Sequence, residues 1–300
     1  MILCCGEALI DMLPRQTTEG GNAFAPHAGG SVFNTAIALG RLGAPVQFFS
    51  GLSSDLFGDI LREELARSNV DSSPAALADR PTTLAFVTLT DGHASYAFYD
   101  ENTVGRMLGS DDLPRTEADA LFFGGISLMV EPCGASYEAL MLREAGNRVT
   151  MIDPNIRPSF IRDEAAYRAR LGRMLAAADI VKTSDEDLDW ITGGTDATAL
   201  LEAGARFVLL TRGAEGVRVV TRDGTVDVPA VKAQVVDTVG AGDTFSAGFL
   251  AQMQADGLLT KEALPGATLE QLATAARFGA KVAAITVSRA GANPPWASEL

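Results

Sequence analysis

Short apolar runs alternate with helical periodicity for most of this chain, and that rhythm restricts the fold more than any other feature. Residues 2–10, 46–52, 120–124, 149–153, 180–182 and 207–211 read as strands. Between them, residues 31–41, 58–68, 165–176 and 198–203 carry amphipathic helical patterns. Buried strands that alternate with helices form a mostly parallel sheet covered on both faces. The spacing therefore predicts an α/β sandwich. Residues 244–253 and 269–287 add two long, Ala-rich helices near the end.

One region breaks the rhythm. Residues 83–90 and 94–99 are β-type runs joined by Asp91-Gly92-His93, and Asp-Gly between such runs signals a hairpin. Residues 13–28 also lack a helical pattern. These pieces predict a small β lid, built from segments at about 12–28 and 80–106, attached to an α/β body. The turns at 109–114 and 265–266 read as loops, so residues 1–300 are expected to form a single domain.

Composition excludes several classes. With 47% hydrophobic and 21% charged residues the chain can bury a large core, which rules out a disordered protein. A formal net charge of −14 repels nucleic acid and anionic membranes. The three cysteines, Cys4, Cys5 and Cys133, give no disulfide framework, and Cys4 and Cys5 point to opposite faces of any strand. His27 and His93 lie far apart, so no Cys/His cluster has zinc spacing. No basic segment precedes the first strand, and no apolar run reaches the ~20 residues of a membrane span. A soluble cytoplasmic protein is expected.

The chemistry concentrates in Asp237-Thr238-Val239-Gly240-Ala241-Gly242-Asp243-Thr244-Phe245-Ser246-Ala247-Gly248, after a strand-like run at 233–236 and at the start of a helix. Small residues at 240–242 let a phosphate approach the backbone. The first N–H groups of a helix lack internal partners and point at an anion, with the dipole in support. Asp243 follows at once. A carboxylate there repels phosphate, but it makes sense as the acceptor of a proton from an attacking hydroxyl. The helix N-terminus is expected to lower its pKa, leaving an ionised, weak base. No G-x-x-x-x-G-K-[ST] frame is present, and no G-x-G-x-x-G follows the first strand, so Walker-A and Rossmann sites are not supported.

The stretch from Asp237 to Phe245 resembles the C-terminal signature of the ribokinase-like (PfkB) carbohydrate kinases. Ala28-Gly29-Gly30-Ser31-Val32-Phe33-Asn34, with Gly6 to Asp11, Asp55-Leu56-Phe57-Gly58, Asp153 to Pro158 and Thr211 to Gly216, resembles its other segments in the family's order. The resemblance implies a three-layer α/β/α sandwich with a β lid, ATP as donor and a divalent metal, usually Mg2+. It implies Asp243 as catalytic base and Gly240, Ala241 and Gly242 as anion hole. It places sugar hydroxyls at Asp11, Gly29, Gly30 and Asn34, and the nucleotide at Thr211, Gly213 and Gly216. Ala280, Ala283 and Val287, at helical spacing, would flank adenine. The resemblance also places Lys182 and Ser184 at the nucleotide, in the segment where the family more often has Asn-x-x-Glu; here Ser184 and Asp187 occupy those positions, and Ser-x-x-Asp also reads as a helix cap. Asp187 would meet the metal through water. Asp237 with the backbone of Val239 and Gly291 matches a monovalent-cation site, leaving K+ use open.

Tyr96 to Leu108 resembles the lid strand of fructokinases, which brings Phe98, Asn102 and Arg106 to the sugar. Asn155 and Arg157 belong to a second segment of that type. Fructose is the expected acceptor. The alternatives are 2-keto-3-deoxygluconate, whose carboxylate would suit the pair Arg106 and Arg157, and a catalytically silent sugar-sensing relative. Lid pairing in the family makes a homodimer an expectation by analogy.

Overall fold

The structure is a computed structural model that describes residues 1–90 and 93–300, with side chains at 88–90 and 93–96 left aside. The expected Asp91-Gly92 turn lies outside the described residues.

Eight strands form the central sheet, in the order β14-β13-β12-β11-β10-β9-β1-β4. They are β1 (Ile2–Cys5), β4 (Val46–Phe49), β9 (Ala120–Gly124), β10 (Val149–Asp153), β11 (Ile180–Ser184), β12 (Phe207–Thr211), β13 (Val217–Thr221) and β14 (Gly224–Val228). The six from β4 to β12 in that order run parallel, and β13 and β14 add an antiparallel edge. One face carries α1 (Ser31–Arg41), α2 (Leu56–Arg67), α7 (Ala241–Ala255) and α8 (Leu269–Val287). The other carries α3 (Cys133–Glu144), α4 (Glu164–Ala177), α5 (Asp185–Thr192) and α6 (Thr198–Ala203).

The two faces bury separate cores. Ile2 and Cys4 belong to one, Leu3 and Cys5 to the other, as the two-residue period of a strand requires. All four are fully buried. Cys4 and Cys5 thus act as small core hydrophobes on opposite sides of the sheet.

The lid is a second sheet of four strands, β3-β2-β7-β8: β2 (Leu9–Gln16), β3 (Asn22–Gly29), β7 (Leu84–Thr90) and β8 (His93–Tyr99). Two short strands, β5 (Gly51–Ser53) and β6 (Ala76–Ala78), pair beside it. The expected strand at 2–10 is therefore two strands. β1 lies in the body, the chain bends at Gly6, and β2 enters the lid. Residues 46–52 divide in the same way between β4 and β5. Apolar pattern alone does not register a change of sheet.

Residues 233–236 are not a strand. They run as irregular backbone, tied to the end of α8 by the Val236 N–H donating to Val287 O at 2.8 Å. The strands β13 and β14 and the helix α3 were not expected, whereas α5 starts at the Ser184 cap that the sequence offered. The observed α1 and α8 coincide with the expected spans. A reciprocal cap starts α8: Thr268 accepts from the Gln271 N–H, and Gln271 Oε1 accepts from the Thr268 N–H at 2.9 Å. Such a cap contributes about 1 kcal/mol. Gly248 of α7 lies against α8 so closely that a Cβ there would sit 2.7 Å from Gly279 Cα. That approach fixes the start of α7 beside the inner face of α8.

Candidate active site

The site grows from the first turn of α7. Gly240 is its N-cap in the left-handed region, φ 78°, and a Cβ there would lie 2.7 Å from Ala292 Cβ. Both the conformation and the contact require glycine. Helix geometry leaves the Gly242 and Asp243 N–H groups without intrahelical acceptors. The Ala241 N–H turns instead to Thr238 O at 3.3 Å, so one of the three amides expected in the cradle is engaged within the turn.

Asp243 is buried on the sheet-facing side of α7, and α1 holds it. Asn34 Nδ2 donates to Asp243 Oδ2 at 2.9 Å, and Thr35 Oγ1 donates to the Asp243 carbonyl at 3.2 Å. Burial pushes its carboxyl up to about 7, against the lowering by Asn34 and Lys182. The helix N-terminus was expected to depress it. Loss of hydration prevails because the side chain is buried against α1. The result is a stronger base, poised near neutral pH.

Two cavities meet at this turn. The first, about 350 Å³, is lined by Asp11, Gly30, Asn34, Phe98, Asn155 and Arg157 together with Lys182 and Gly240 to Asp243. Its floor has a further support. Buried Glu7 accepts from the Ser31 N–H at 2.9 Å and the Ser127 N–H at 3.3 Å, and so ties the start of α1 to the turn at Gly125 and Ile126. Gly125 and Ile126 line the cavity and were missed, although the Gly124-Gly125 pair after β9 was a visible signal. Asp11 arrives on β2, and burial pushes its carboxyl up to about 6. Gly29 stands behind it, where a Cβ would come 2.2 Å from Asp11 Oδ2. Phe98 arrives on β8 and meets Phe160 edge-on at 4.8 Å.

The second cavity, about 530 Å³, is largely apolar. Thr211, Gly213 and Gly216 line one side, and Ala280, Ala283 and Val287 of α8 the other, as the sequence suggested. Ala214, Val231, Val235 and Phe245 also line it and were missed. The run at 230–235 lines this cavity because it leaves the sheet, and apolar residues outside a sheet look like strand in sequence. Thr238, Ala241 and Gly242 belong to both cavities.

Other expected site residues stand elsewhere. Arg106 lines neither cavity. Its Nη1 pairs with buried Asp100 at 2.9 Å and its Nε donates to Glu131 O, so the cation is stapled to the body. Asn102 is exposed in the adjoining turn, φ 57°, away from both cavities. Ser184 caps α5 by accepting from the Asp187 N–H at 3.0 Å and reaches neither cavity. Lys182, expected at the nucleotide, lines the first cavity. Asp187 is buried, accepts from the Ile156 N–H at 3.1 Å, and has its carboxyl pushed up to about 6 by burial and Asp153. Asp237 accepts from the Val239 N–H at 3.0 Å and the Gly291 N–H at 2.9 Å.

Among the described residues no cluster of three or more His, Cys, Asp or Glu side chains forms a metal cage. A divalent ion held mainly by phosphate oxygens needs only one or two carboxylates. Asp187, beside Asp153 and short of the cavity wall, fits such an ion through water.

The whole chain shares this architecture with known proteins. The model of the pfkB family carbohydrate kinases matches residues 1–299. A fructokinase of Rhizobium leguminosarum bv. trifolii is 58% identical over 267 residues, which span 87% of this chain and 82% of that protein. A fructokinase of Salmonella typhimurium is 35% identical over 265 residues, 85% of each chain. The crystal structure of a fructokinase with bound ATP from Xylella fastidiosa superposes with a TM-score of 0.89 at 33% identity, covering 97% of this chain and 93% of that one. With its ribokinase-like sandwich, its lid and a buried aspartate next to the wall shared by two cavities, the chain belongs to the pfkB family of carbohydrate kinases.

Proposed function

We propose that this kinase is an ATP-dependent fructokinase that converts D-fructose to fructose 6-phosphate, with the nucleotide in the apolar cavity and the sugar in the polar one. The observation that carries the reading is Asp243, which is buried, lines the polar cavity and directly follows Gly242 in the wall that the two cavities share. The 58% identity to a fructokinase supports the choice of sugar.

In this reading the sugar hydroxyl attacks the γ-phosphorus and its proton passes to the Asp243 carboxylate. The bond from the γ-phosphorus to the bridging oxygen breaks, and ADP leaves. A transition state of this kind needs alignment and charge stabilisation more than covalent help. The cradle amides of α7 face the transferred group. Asn34 fixes the carboxylate that takes the proton, and Asp11 with Asn155 orients vicinal hydroxyls. Lid strand β2 carries Asp11 and β8 carries Phe98, so lid closure would exclude water from the sugar. A divalent ion, Mg2+ in this reading, would offset phosphate charge near Asp187, and K+ would pair with the Asp237 carboxylate. Three buried, free cysteines suit a reducing cytoplasm.

The retention of Arg106 by Asp100 weakens the keto-acid alternative, which needs two arginines on one carboxylate. The test is ADP release from ATP with fructose, 2-keto-3-deoxygluconate, ribose, tagatose and adenosine. Fructose is expected to give the highest kcat/KM, by about tenfold or more. A higher value for the keto-acid overturns the assignment, and no reaction with any of them favours a silent sensor.

A further inference from the structure

Of the cations that line either cavity among the described residues, Arg157, Lys182 and Lys232, only Lys182 is buried. Its Nζ lies 2.8 Å from Asp153 Oδ2, and a Cβ on Gly242 would lie 2.9 Å from that same Nζ. The ammonium therefore faces the second residue of α7, which belongs to the wall common to both cavities. Its partner is equally enclosed: Asp153 is 1% exposed, and its Oδ1 has no hydrogen-bond partner. A buried ion pair with one unsatisfied oxygen contributes little to stability, because desolvation offsets the attraction.

We infer that Lys182 is a catalytic cation of the transfer step, contacting a non-bridging oxygen of the phosphoryl group as it crosses from nucleotide to sugar, with Asp153 as the residue that positions it. The inference rests on the assignment of the two cavities to ATP and sugar. No Walker lysine exists in this chain, and β11 supplies the equivalent charge from the opposite side of the wall. The ammonium keeps its proton throughout; it makes and breaks no covalent bond. Burial lowers its pKa, but Asp153, Asp243 and Asp187 together raise it further, so the group stays charged. A fixed charge in a water-excluded site stabilises developing charge without reorganisation. Glycine at 242 is then needed for room as well as for an exposed N–H, since any side chain there would displace the ammonium.

The test compares Lys182→Met, Asp153→Asn and the double variant with the wild type, each assayed on whichever sugar of the panel the wild type turns over best. Lys182→Met is expected to lower kcat by about 10²–10³-fold, with KM for sugar and ATP changed by less than about threefold. The double variant is expected to stay as slow as Lys182→Met, although its buried charges are removed together. Asp153→Asn alone, which keeps the cation, is expected to retain more turnover than either. Binding of ADP with aluminium fluoride and sugar, followed by thermal shift, should be lost in Lys182→Met while ADP binding persists. Recovery of turnover in the double variant makes the pair merely structural and overturns the inference, as does a Lys182→Met enzyme that loses only KM. A wild type that prefers a sugar other than fructose refutes the fructokinase assignment and leaves this comparison intact.

Discussion

Asp243 is where sequence and environment pull hardest against each other. The helix N-terminus favours its anion, and complete burial favours its acid. Burial prevails, and the carboxyl reaches about 7. A base must be ionised to accept a proton, so kcat/KM is expected to climb with pH, reach half its plateau near 7 and level off above. Asp243→Asn is expected to fold, bind both substrates and lose turnover by about 10³-fold or more; near-normal turnover would remove Asp243 from the mechanism. The same shift has a consequence for stability. The folded state holds the Asp243 proton to a higher pH than the unfolded chain does, so this group's contribution falls as pH rises from about 4 to about 7. Asp243→Asn lacks that loss. Its melting temperature should exceed the wild type's at pH 8 by about 5 °C, and the gap should narrow below pH 7 and close near pH 4. A gap that is constant with pH would show that Asp243 titrates normally.

At the scale of elements, the crossing of α7 and α8 places the cradle. Gly248 and Gly279 let the helices approach, and Gly279 would itself clash with Phe245 O, 2.7 Å from an added Cβ. Helix α8 also lines the apolar cavity, proposed for the nucleotide, through Ala280, Ala283 and Val287. Gly248→Val is therefore expected to push the helices apart, costing about 1–3 kcal/mol. Urea unfolding would show it as a lower midpoint with unchanged slope. The ATP KM should rise while the sugar KM changes less. An equal rise in both would mean that the crossing positions the whole site and not one side of it.

For the whole molecule, the body supplies Asp243, Lys182 and Arg157, and the lid supplies Asp11 and Phe98. Thr238, Ala241 and Gly242 form a wall common to both cavities, through which the occupancy of one would be felt at the other. Fructose with a non-hydrolysable ATP analogue is expected to raise the melting temperature by more than the sum of the two separate shifts. Strict additivity would mean that the cavities bind independently and that the lid does not respond to both.

How far each feature could be read in advance follows from the range of the interaction behind it. The spans of α1 and α8, the opposed faces of Cys4 and Cys5, the glycine cradle and its aspartate, and the small residues of α8 at the nucleotide cavity all follow from local periodicity or short motifs. Such features depend on backbone geometry within a few residues, and the sequence states them directly. The bend at Gly6, the departure of residues 230–235 from the sheet, the capture of Arg106 by Asp100, the placement of Lys182 against Gly242 and the raised pKa of Asp243 do not. Each depends on what a distant segment places nearby: Val32 crowding Gly6, Val287 holding Val236, Asp153 holding Lys182, α1 closing over Asp243. By itself the sequence pointed to an α/β kinase and to Asp243 as the group proposed for its base. The tertiary structure alone decided which cations reach the site and how strong that base is, because charge and hydration are set by neighbours far away along the chain.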